Sequence, residues 1–191
     1  MTYEDSASER TAFASVDMIE LYGAHGYLIN QFLSPLTNER TDVYAGSLEN
    51  RYLFAKEIIE QIRGAFNSSF WIRLSLTAYD DSEKQNSLVD WKTIGKWLEK
   101  GGIDCIDVST GGLIDKKPNI PVRPGYQVPY TTAMKEVVSI PVSTVGLLDN
   151  PGLCEHILQT NQADLILQGR ALIRNVNWLA DAAEELRDTN F

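Results

Sequence analysis

Cysteine and histidine are scarce, with two of each among 191 residues. Cys105 and Cys154 lie far apart and match no metal-ligand spacing, so reduced, buried thiols are expected rather than a zinc site or a disulfide framework. No Ser-His-Asp arrangement suggests itself either. Positive charge is also in deficit: 17 Lys and Arg stand against 26 Asp and Glu, a net charge of −9. Such an acidic surface repels nucleic acid and anionic membranes. No apolar run approaches the roughly 20 residues that span a bilayer, and no basic-then-apolar start resembles a secretory leader. The expectation is a cytoplasmic protein with no nucleic-acid or membrane partner. Finally, no G-x-G-x-x-G follows the first apolar run, which weighs against a dinucleotide-binding sheet.

What is present is a rhythm. Strand-sized apolar runs fall at 15–21 (SVDMIEL), 70–76 (FWIRLSL), 104–109 (DCIDVS), 140–144 (IPVST) and 163–169 (ADLILQG). Amphipathic stretches separate them. In 47–66, Leu48, Tyr52, Ala55, Ile58, Ile59 and Ile62 recur at helical spacing, behind Ser47 as a helix start. Residues 88–102 repeat the pattern and stop at Gly101-Gly102. Two shorter helices are predicted over 129–138 and 150–161, the second with Pro151 in its first turn. Alternating strands and helices argue for parallel strands joined by right-handed crossovers. The candidates are an open doubly wound sheet and a (β/α)8 barrel, of which about five units would be present. Residues 1–12 form a polar segment, and the whole chain reads as one partial-barrel domain.

In either architecture ligands sit beyond the C-terminal ends of the strands. After the first run comes a stretch of about 25 residues without helical period, too rich in Tyr, Phe and Leu to be disordered. It carries His25 and Tyr27. A neutral imidazole can hold a carbonyl oxygen and a phenol can supply a proton; a capped turn with a buried Tyr is the alternative. Arg73 lies inside the second run, sharing a face with Trp71 and Ser75. It needs an anion or an electron-rich ring system, or else a structural carboxylate. STGGL (109–113) is read as a tight turn that also permits close approach to the backbone. Gly146 follows the fourth run, and Gly169 with Arg170 follows the fifth at the start of a short helix. Loops after the last strands of barrels commonly bind phosphate. His156 falls mid-helix, away from any strand end.

The segment HGYLINQFLSPLTNERTDVYAGSLENRYLFAKEIIEQIR closely resembles the signature of the old yellow enzyme family of FMN-dependent NADH:flavin oxidoreductases. WIRLS, IDVSTGGL, PGYQVPY, VSTVGLL and ADLILQGRALIRNVNW follow in the family's order, so the resemblance runs from about residue 16 to 185. It implies a (β/α)8 barrel of TIM type, represented by about its fourth to eighth strands, with FMN at the mouth. It also implies NADH or NADPH as hydride donor and a small activated alkene, of enone type, as acceptor. His25 matches the second member of the pair that holds the carbonyl, and Tyr27 matches the proton donor. Arg73 matches the flavin-ring contact, and Gly146, Leu147, Gly169 and Arg170 match the phosphate cradle. Tyr22 stands where the family has the first His of the pair. The family's first three strands have no counterpart, which implies a homo-oligomer or a complementary N-terminal half-barrel chain. The alternative is a non-catalytic remnant or interaction module that keeps part of the FMN phosphate site.

Overall fold

A computed structural model describes residues 15–80, 84–114 and 119–187. The polar segment expected at the N-terminus lies outside these residues. Five parallel strands pair in sequence order: β1 (Met18–Gly23), β2 (Ser69–Ser75), β3 (Cys105–Ser109), β4 (Val142–Thr144) and β5 (Leu165–Ile166). A doubly wound sheet reverses its strand order at a switch point. This one does not, so it is a run of consecutive parallel β/α units in the strand order of a barrel wall.

The helices are α1 (Leu28–Leu33), α2 (Leu48–Ala65), α3 (Leu88–Lys100), α4 (Val128–Lys135), α5 (Pro151–Gln159), α6 (Arg170–Arg174) and α7 (Trp178–Leu186). Ser47 caps α2 by accepting from the Asn50 amide. Ser87 and Asp90 form a reciprocal capping box on α3. Asn150 caps α5 just before Pro151. Tyr52, Ala55, Ile58, Ile59 and Ile62 of α2 are buried, as their spacing predicts, with Leu48 partly so. They pack with Trp91, Ile94 and Leu98 of α3 against Phe70, Ile72, Leu74, Ile106 and Val108 on one face of the sheet. Cys105 and Cys154 are buried and unpaired, and burial pushes the Cys105 thiol up to about 12.

Two predicted features differ. The first strand is 18–23, not 15–21, which brings Tyr22 inside it. The stretch after it is not without helix, because α1 forms within it. The rest of that stretch is pinned by Arg51, whose guanidinium donates to the Leu33 carbonyl (3.0 Å), to the Gly46 carbonyl and to Asn86 Oδ1 (2.7 Å). Three acceptors on one side chain explain how a long segment stays in place.

Candidate functional site

The strand register separates the two faces of the sheet. Tyr22 pairs with Arg73, Arg73 with Asp107, and Asp107 with Ser143. Side chains alternate along a strand, so these residues and Glu20 share the face away from the helices. The face is polar and connected. Arg73 pairs with Asp107, and its Nη2 lies 3.3 Å from Glu20 Oε1. Ser143 Oγ donates to Asp107 at 2.9 Å. Asp107 is fully buried. Burial, then the charge of Asp107, raises the Glu20 carboxyl above its ordinary value, and Arg73 opposes the rise. Arg73 therefore has carboxylate partners in this structure, which is the second of its two sequence readings.

His25 follows β1 in the left-handed region, at φ 53°. Such a conformation is costly for a residue with a Cβ and persists where its surroundings over-determine it. Here they do. The His25 amide donates to Ser75 Oγ at 3.0 Å, Nε2 lies 2.7 Å from Ser109 Oγ, and Nδ1 lies 2.5 Å from the Tyr22 hydroxyl. Ser75 and Ser109 are register partners at the ends of β2 and β3. Gly112 backs the residue so closely that a Cβ on it would stand 2.7 Å from the His25 Cα. The tight turn at STGGL thus lets two strand-end loops touch. Burial, then the charge of Arg73, lowers the His25 pKa below 6.5, against a smaller pull from Asp107. The imidazole is accordingly neutral at pH 7.

A groove of about 400 Å³ runs along the strand ends and brings His25 and Arg73 together with Gly146, Leu147, Gly169 and Arg170. Tyr22 and Tyr27 line a neighbouring apolar cleft beside β1, with Leu21 and Phe54. The Tyr22 ring joins the two regions: its centroid is 5.6 Å from that of His25 and 5.1 Å from that of Tyr27, both edge-on. Tyr27 is well exposed and leads into α1. Gly146, at φ +117°, passes so near Gln127 and Tyr126 that a Cβ would fall within 2.9 Å of both. Around Gly169 nothing lies within 4 Å of such a Cβ, so that backbone is open to a ligand. Arg170 and Arg174 of α6 are exposed beside it. His156 lies on the exposed side of α5.

The sequence reading placed Ser75 on the face of Arg73 and Ser109 at the start of a turn but gave neither a role at the site, and it passed over Asp107, Gln127, Gln168 and Arg174. Alternation with Arg73 along β2 flags Ser75, and the position just before Gly169 flags Gln168; Asp107 and Ser109 lie on the neighbouring strand, whose register a single strand's pattern does not contain. Two groove-lining residues carry a buried polar atom without a partner among the described residues: Gln127 Oε1 and Gln168 Oε1. Buried polar atoms are normally satisfied, so these fit a polar ligand lying in the groove.

Consecutive parallel β/α units with a groove at their C-terminal strand ends have the arrangement of the barrel class, whose ligands sit at that end. The model of the NADH:flavin oxidoreductase / NADH oxidase family matches residues 1–189, and the chain belongs to that family. An NADPH dehydrogenase of Halalkalibacterium halodurans is 47% identical over 180 residues, covering 94% of this chain and 52% of its own length. The chain therefore spans about half of that relative. Among solved structures, histamine dehydrogenase from Rhizobium sp. 4-9 superposes with a TM-score of 0.79 at 32% identity, covering 96% of this chain and 27% of that one. A morphinone reductase variant in complex with tetrahydroNAD shares the fold, with a TM-score of 0.73 at 24% identity over 94% of this chain and 48% of that one.

Proposed function

We propose that the chain is the FMN-holding portion of a cytoplasmic, NAD(P)H-driven reductase of activated alkenes. The carrying observation is the single groove that joins His25 and Arg73 to Gly146, Gly169 and Arg170. The open backbone at Gly169, the flanking arginines and the unsatisfied Gln127 and Gln168 oxygens suit the phosphate and polar edge of FMN. When bound, FMN supplies a ring that takes hydride from NADH or NADPH and gives it up again.

The chain's own residues do the rest. Gly146, Leu147, Gly169 and Arg170 would hold the phosphate, and Arg73, held by Asp107 and Glu20, would offer its remaining donors to the flavin. Neutral His25, with Tyr22 beside it, holds the carbonyl oxygen of a small enone and polarises it. Tyr27, exposed at the start of α1, supplies the proton to the carbon that hydride does not reach. The open side of β1 suits a complementary half-barrel chain or a second copy, because it is the edge of the sheet. The same edge favours a second reading, a non-catalytic module that keeps part of the phosphate site.

NADPH-dependent reduction of a cyclic enone by the flavin-loaded chain, compared with free FMN, separates the two. Turnover above free FMN, lowered at least about tenfold by Tyr27→Phe, supports the reductase. Flavin binding without turnover supports the module.

A further inference from the structure

We infer that Ser109 is a positioning residue: it donates to His25 Nε2, so that His25 Nδ1–H donates to the Tyr22 oxygen and the Tyr22 O–H is left to serve a carbonyl. This deepens the reductase reading and rests on it for its purpose, though the hydrogen-bond order stands on geometry alone.

Two orders fit the heavy-atom distances of 2.7 Å (Ser109 Oγ to Nε2) and 2.5 Å (Tyr22 hydroxyl to Nδ1). In one, Nε2–H donates to Ser109 and Tyr22 donates to Nδ1. In the other, the direction is reversed throughout. The buried Ser109 hydroxyl decides between them. Among the described residues its one hydrogen-bond partner is His25, and Ser109 is 3% exposed. In the first order its proton would be buried without an acceptor, an arrangement that buried polar groups avoid. In the second it is satisfied.

Tyr22 tolerates the second order, because it is 38% exposed and its own proton faces no such penalty. The Arg73 guanidinium carbon lies 5.6 Å from the Tyr22 ring centre and offers donors only, so it does not compete for that proton. Ser75 cannot substitute for Ser109: its hydroxyl is already spent, donating to the Gly111 carbonyl at 3.0 Å and accepting from the His25 amide. The relay makes Tyr22 a directed donor where a histidine would have donated directly.

With only two histidines in the chain, the test is direct. The full chain is labelled with ring-nitrogen-15 histidine and its nitrogen shifts are read by NMR at neutral pH, with exposed His156 as internal reference and His156→Gln for assignment. The expected result is a protonated Nδ1 and a bare Nε2 at His25, the reverse of the tautomer that free histidine prefers. Ser109→Ala shifts the His25 signals toward those of His156, and Ser109→Thr restores them. A wild-type His25 protonated at Nε2 overturns the inference, as do His25 signals that Ser109→Ala leaves unmoved. If Ser109→Ala fails to fold, the wild-type tautomer decides alone. A chain that shows the expected tautomer yet never binds FMN overturns the reductase reading and leaves the relay standing.

Discussion

Arg73 faces two carboxylates, and one guanidinium cannot neutralise both. Asp107 depends on it more, being fully buried. Removing the cation leaves a buried carboxylate uncompensated, so Arg73→Leu is expected to lose about 3–5 kcal/mol of stability. Denaturant unfolding measures this, and a loss under about 1 kcal/mol contradicts the pairing. His25 gives a pH dependence of known sign. Its folded pKa lies below the unfolded 6.5, so the unfolded chain binds the proton more tightly. The contribution is present above 6.5 and lost as pH falls through that value toward the lowered one. Glu20 works the other way, since its raised folded value makes stability fall as pH climbs above 4.5. The two are separated by comparing unfolding of the wild type with His25→Asn between about pH 7 and about pH 5.5. The wild type is expected to lose more stability on acidification than the variant, and parallel curves contradict this. At this scale the position of His25 was legible because it follows a strand-sized apolar run, and the pairing of Arg73 because a charge inside such a run needs a partner. Asp107 and Ser109 were not, because their meaning depends on which strand pairs with which, and one strand's pattern does not contain its neighbour's register.

Elements with a long period were legible and short ones were not. The face of α2 could be read position by position, because five turns repeat the same spacing. Helix α1 has six residues, too few to display a period, and its start is set by the strained turn before it. That turn is built from two loops in contact. Gly112 sits at φ +79° against the His25 backbone, so Gly112→Ala meets both a steric and a conformational barrier. Its expected cost is about 1–3 kcal/mol, with displacement of the β1–α1 loop. Circular dichroism melting gives the stability, and the His25 ring signals report the displacement. A variant with wild-type stability and unmoved His25 signals contradicts the close approach. The capping box of α3 provides a control away from the groove: Ser87→Ala is expected to cost about 0.5–2 kcal/mol and to leave flavin binding unchanged.

For the whole molecule, the order of strands carries the argument. Five parallel strands in sequence order put every C-terminal strand end on one rim, so residues from 25 to 174 converge on one groove. The alternation of apolar runs and helical stretches predicts this arc, and the missing dinucleotide fingerprint favours it over the open sheet. The exact length of β5, two residues rather than seven, was not legible, because an apolar run marks burial as well as pairing. Against a net charge of −9, Arg170 and Arg174 put two positive charges at the rim of the groove.

The most direct measurement is therefore a comparison of FMN with riboflavin, which lacks the phosphate, by equilibrium titration of flavin fluorescence on the full chain and on Arg170→Ala. The expected result is FMN binding at least about tenfold tighter than riboflavin, with that advantage lost in the variant while riboflavin binding stays the same. Equal affinity for the two flavins, or no binding of either, contradicts a phosphate cradle at the ends of β4 and β5.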